Sequence, residues 1–152
     1  MTVSPDGRHV YAASEGDDAL GVFGRDAATG ELTFVQAVNY GPGMPNLLDP
    51  HCVTISPDGA HVYVAAYYAL VIFGRDAATG ELAFVGSVRD GLAGVDGLYG
   101  ACSVTVSPDG AHVYAAGEND DALAVFGPDG DTGEPTFVQV VTQDASARFC
   151  DS

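Results

Sequence analysis

Short apolar runs, each closed by turn-forming residues, follow one another along the whole chain. The best preserved series is CVTIS (52 to 56), HVYVAAYY (61 to 68), ALVIFGR (69 to 75) and ELAFVGSV (81 to 88). Val, Ile, Phe and Tyr are enriched in these runs and no sustained helical period links them, so the pattern predicts four β-strands. The first and second runs are separated by SPDG. There Pro fixes φ at the first central turn position, Asp can bond its own backbone, and Gly takes the left-handed position that follows. The third and fourth are separated by AATG, which ends in a Gly where a hairpin needs positive φ.

The pattern repeats. Ser4, Ser56 and Ser107 open SPDG three times, spaced 52 and 51 apart, and GRDAATGEL occurs identically at 24 to 32 and 74 to 82, answered by GPDGDTGEP at 127 to 135. Four antiparallel strands recurring every ~50 residues is the signature of propeller blades, with a solenoid as the structural alternative. The expected fold is all-β: a β-propeller of four-stranded antiparallel blades, three per chain, a half propeller. Blade 1 spans 1–40, blade 2 52–90 and blade 3 102–143 of the 152 residues. Small residues such as Ala65, Ala66, Ala115 and Ala116 suit strands covered on both faces. The first blade lacks most of its innermost strand, and the tail DASARFCDS is expected to extend toward a neighbour.

The order SPDGxHVYxA, an apolar strand ending VFGRD, then ATGEL and FV, resembles the seven-bladed lactonase propellers, the group that includes 6-phosphogluconolactonase, and the related YVTN-type surface repeats. The resemblance covers nearly all of the chain. Its motifs belong to the scaffold, so they speak for fold more than for activity. A full ring of that family needs about twice this length, since propellers typically close with 4 to 8 blades.

Charge narrows the partners. The formal net charge is −16 and there is no Lys, which argues against nucleic acid and anionic membranes, because both are bound through Lys and Arg. No apolar run approaches the roughly 18 residues of a membrane span. Solvated turns and edges account for much of the acidity; a GC-rich genome or a salt-adapted host would produce the same bias. Three cysteines at irregular spacing form no disulfide framework and no metal pattern. No signal peptide is visible, and MTVSPDG already lies inside a repeat, which suggests a chain cut from a longer parent or one beginning mid-unit. G-x-S-x-G, H-E-x-x-H, Walker and Rossmann signatures are absent.

Copying stops at one rim. In an up-and-down blade the SPDG and AATG turns share one end, and the opposite end carries segments that vary: SEGDDA (14 to 19), ENDDA (118 to 122) and the inter-blade connections NYGPGMPNLLDPHC and RDGLAGVDGLYGAC. Every blade meets the same packing problem, whereas a site is built once, so a site belongs on the varying rim. His9, His61 and His112 recur at one scaffold position and read as structural. His51 occurs once, opposite Cys102 when Val53 is aligned with Val104. Its DPHCV context matches the lactonase family's Pro-His element, whose His faces the channel; Cys102 departs from it.

As a general base, His51 would activate water against a lactone or ester carbonyl; the bland rival is a His that caps a loop. Asn46, Arg89 and Tyr99 are the candidate substrate contacts, with Arg89 suited to an anionic group. Asp49 and Asp96 are the candidate metal ligands, beside Asp90, for an oxygen-preferring ion such as Ca²⁺. If two chains meet, His51 and Cys102 of each would surround a common axis where Zn²⁺ could bind. EGDD and ENDD are weaker metal signals with a rival role as charged strand edges.

The expected function is hydrolysis of lactones or related esters at the channel mouth, in a ring closed by self-association. A two-fold homodimer with six blades is the simplest closure, since an open arc leaves apolar blade faces bare. The alternatives are a non-catalytic binding scaffold and a fragment of a longer lactonase-like protein.

Overall fold

The structure, a computed structural model, describes residues 1–142. The expectations for the tail DASARFCDS fall outside the described residues. Twelve strands form three sheets with no helix among the described residues. Sheet 1 contains β1 (Thr2–Val3), β2 (His9–Ser14), β3 (Ala19–Arg25) and β4 (Leu32–Asn39). Sheet 2 contains β5 (Pro50–Ile55), β6 (His61–Ala66), β7 (Ala69–Arg75) and β8 (Leu82–Arg89). Sheet 3 contains β9 (Ala101–Val106), β10 (Val113–Gly117), β11 (Ala122–Pro128) and β12 (Pro135–Thr142). In each, strands pair antiparallel with their sequence neighbours. These are three propeller blades.

Packing follows from period-two alternation. Val62, Val64 and Ala66 of β6 join Tyr11, Leu20 and Val22 in one core, while Tyr63 and Ala65 join Leu98, Val104 and Phe126 in a second. All of β6 is buried, because sheet 2 is covered on both faces, and each fully buried Val, Leu or Phe contributes roughly 1.5–3 kcal/mol. Between strands three and four of every sheet the register shifts once, at Val22/Phe23, Ile72/Phe73 and Val125/Phe126. The extra residue is Val35, Val85 or Val138 of the fourth strand, and beside it a directly paired Phe meets its cross-strand Phe edge-on, with centroids 6.1, 6.2 and 5.7 Å apart.

Three expectations are corrected. The run read as a strand to residue 68 ends at Ala66, and Tyr67 and Tyr68 make the β6–β7 turn. β5 begins at Pro50, two residues earlier than expected, so His51 lies inside the strand. β8 runs from Leu82 to Arg89, one residue later than the predicted run.

Candidate functional site on the varying rim

β5 carries a register shift between Pro50 and Cys52, so His51 is the extra residue of a bulge. Bulges re-aim a side chain, and His51 is turned out to the surface. Sheet 3 shifts at the same place, between Gly117↔Ala101 and Ala116↔Ser103, with Cys102 as the extra residue. The bulge therefore belongs to the scaffold and the imidazole to blade 2. Glu15, from the β2–β3 loop of sheet 1, places Oε2 3.7 Å from His51 Nδ1, which leaves Nε2 for a ligand. Reading SEGDDA as a charged edge missed Glu15; its place on the varying rim was the available signal.

A second group gathers toward the outer strands. Asn46 Nδ2 donates to Ser87 Oγ at 2.7 Å, and the Arg89 guanidinium lies 5.8 Å from the centre of the Tyr68 ring. Asn46, Arg89, Tyr68, Tyr40, Pro45 and Leu48 line a pocket of about 130 Å³. Asn46 and Arg89 thus come together, but not with His51. Pro50 pairs with Ala66, Ala66 with Ala69 and Ala69 with Arg89, so three strand spacings, about 14 Å, separate β5 from β8 at this end. Tyr99 stacks on Tyr68 with centroids 5.3 Å apart at 7° and meets Tyr67 edge-on at 5.6 Å. A hydrogen bond with Tyr67 and the phenols around it hold the Tyr99 hydroxyl above the usual tyrosine range.

Acidic residues form a third group. Asp90, Asp96 and Asp120 bring one carboxylate oxygen each within 4.8 Å of the others. Asp90 accepts the Leu98 N–H at 2.9 Å and Asp120 the Tyr99 N–H at 3.0 Å. Burial, and then repulsion from Asp90 and Asp96, raise Asp120 above the ordinary carboxylate range. Three hard oxygen donors fit an ion such as Ca²⁺ better than Zn²⁺. Asp96 belongs to this trio. Asp49 does not; its backbone, at φ 46°, donates N–H to Asp18 Oδ1 at 2.8 Å. Asp120 comes from ENDD, so that weaker metal signal contributes a member. Cys52 is a free thiol, whereas Cys102 is not, which removes its thiolate from any Zn²⁺ site.

Comparison with known proteins matches residues 1–96 to the lactonase family of seven-bladed β-propellers. The chain belongs to that family. Among solved structures, the periplasmic gluconolactonase of Pseudomonas aeruginosa is 28% identical, with a TM-score of 0.77 over 92% of this chain and 38% of that one. A candidate 6-phosphogluconolactonase of Bacteroides fragilis is 22% identical, with a TM-score of 0.79 over 94% of this chain and 38% of that one, a likeness of fold alone. The chain thus spans about two fifths of the length of each. No match was found among curated proteins.

Proposed function

We propose that this lactonase-family chain hydrolyses lactones or related esters at the channel mouth, with His51 as general base. The observation that carries the reading is the bulge that presents an imidazole on the rim with a carboxylate facing its Nδ1. In this scheme Nε2 takes a proton from water, hydroxide adds to the carbonyl carbon, the ring C–O bond breaks, and the proton passes to the leaving alkoxide. Glu15 steadies the imidazolium that forms. The Arg89 pocket is about 14 Å away across the sheet, too far for one sugar-sized lactone to touch both, so Arg89 and Asn46 do not belong at the reacting carbonyl in this scheme. If an ion is bound, Asp90, Asp96 and Asp120 are the residues that would hold it, and it would supply charge stabilisation.

The channel in this reading is completed by a second copy. Two internal junctions join sheet 1 to 2 and sheet 2 to 3 through the same tyrosine-to-glycine bond, Tyr11 Oη to the Gly80 carbonyl (3.0 Å) and Tyr63 Oη to the Gly133 carbonyl (3.3 Å). Among the described residues Tyr114 has no such acceptor, and Gly30 has nothing within 4 Å of where its Cβ would be. One copy's blade 3 therefore offers what the other's blade 1 lacks.

Turnover of a panel of aldonolactones and aryl esters by the purified chain tests the activity. His51→Ala is expected to lower kcat/KM by about 10²–10⁴ and Glu15→Gln by less. Unchanged turnover in His51→Ala would remove the assigned base. The scatter of the rim residues into three separate groups favours a second reading, a non-catalytic binding scaffold, which saturable binding without turnover would support.

A further inference from the structure

The two internal junctions share the tyrosine-to-glycine bond and differ, on the rim opposite His51, in the residue that stands at the place of Arg75. At the first, Arg75 of β7 reaches back to sheet 1. Nε donates to Tyr11 Oη (2.7 Å), Nη1 to the Gly59 carbonyl (3.2 Å) and Nη2 to Asp6 Oδ2 (2.8 Å); Nη2 also lies 2.9 Å from His9 Nδ1. The Arg75 side chain is 2% exposed. At the second junction the counterparts of these four acceptors recur as Tyr63, Gly110, Asp58 and His61, but the place of Arg75 is taken by Pro128.

The acceptors are left without their donor. Asp58 Oδ1 takes the Ser56 hydroxyl and the Ala60 N–H, as Asp6 Oδ1 takes Ser4 and Arg8. Its Oδ2, the counterpart of the oxygen that holds the Arg75 guanidinium, takes nothing among the described residues. Tyr63 Oη donates to the Gly133 carbonyl and receives no bond in return. A cavity of about 270 Å³ occupies the place, lined by Asp58, His61, Tyr63, Gly110, Pro128 and Asp129.

We infer that this cavity binds a small guanidinium compound, seated as the Arg75 side chain is at the first junction. The planar fork of five N–H donors matches four acceptors whose arrangement the protein already uses for that group, and an ammonium has neither the plane nor the reach. Asp129, the counterpart of Asp76, lines the cavity as well, and with no guanidinium in place the negative charge there draws in a cation. The site is independent of lactone hydrolysis.

Amide chemical shifts followed during titration with ethylguanidinium chloride, against ethylammonium chloride, read the binding directly. Saturable shifts confined to Asp58, His61, Tyr63, Gly110 and Asp129 are expected, with at least about tenfold weaker response to the ammonium. Pro128→Arg, which supplies the guanidinium in cis, is expected to abolish the shifts and raise Tm. Asp58→Asn, which keeps the Ser56 and Ala60 bonds, is expected to weaken binding about tenfold or more and decides the matter if Pro128→Arg folds poorly. Equal or unsaturable responses to both cations, or unchanged affinity in Asp58→Asn, would overturn the site.

Discussion

Arg75 shows how one side chain joins two blades. Bonds from Ser4 and then Arg75 hold the Asp6 carboxyl well below the usual carboxylate range. A carboxyl depressed in the folded state stabilises above its unfolded value, about 3.9, and that contribution is lost as pH falls through the folded value. Asp6→Asn is therefore expected to cost about 1 kcal/mol at pH 7, kept small by the solvent around Asp6, with the gap to wild type closing in melts below about pH 4. A second residue comparison isolates packing. Gly30 and Gly80 occupy the same AATG turn at φ 77° and 82°, but a Cβ on Gly80 would overlap the His9 ring whereas one on Gly30 meets nothing. Gly30→Ala is expected to cost about 1 kcal/mol from positive φ alone. Gly80→Ala is expected to cost about 3 kcal/mol or more, because the ring is buried and cannot withdraw. Equal losses in urea melts would show that His9 gives way.

Among the strands, what could be read in the chain was whatever repeats. SPDG and AATG mark turns by residues with a stated backbone reason, so the strands on either side of them were placed to within two residues. Tyr67 and Tyr68 carry no such mark. The reversal was read at this place, but aromatic strand formers at a two-residue turn look like more strand, so the first strand was carried to residue 68, whereas the pairing of Ala66 with Ala69 ends it at Ala66. The rim residues were assigned to one end by topology, and the strand pairing puts a whole sheet's width between His51 and Arg89, a distance that the rim assignment alone does not give. Long-range bonds were equally invisible. Gln36 of β4 donates to the Leu82 carbonyl at 3.2 Å and accepts the Leu82 N–H at 2.8 Å, tying the outer edge of sheet 1 to the start of β8. Gln36→Leu leaves both groups unpaired and is expected to cost about 1–3 kcal/mol in urea melts. Little or no loss would mean that water satisfies Leu82.

On the scale of the whole molecule a counterpart of the same bond is available where the arc would close. Gln139 of β12 sits opposite Val125 as Gln36 sits opposite Val22, yet it is exposed and has no following sheet among the described residues. In a two-fold six-bladed ring it would meet Leu32 of the second copy, while that copy's Arg25 would reach Asp109 and Tyr114 as Arg75 reaches Asp6 and Tyr11. Charge opposes the assembly, since each chain brings −16 and two such surfaces repel over a Debye length of about 10 Å at 0.1 M salt. Association is therefore expected to strengthen with salt, opposite to the behaviour of a dimer held by surface ion pairs. Light scattering on a sizing column is expected to move toward twice the 15.5 kDa chain mass as NaCl rises to about 0.5 M. Gln139→Leu and Tyr114→Phe are each expected to shift that midpoint to higher protein concentration by about tenfold, the loss of one buried hydrogen bond per junction repeated twice around the ring. Chain mass at every salt concentration would mean that the open faces do not find each other, and the channel would then need blades from another polypeptide segment.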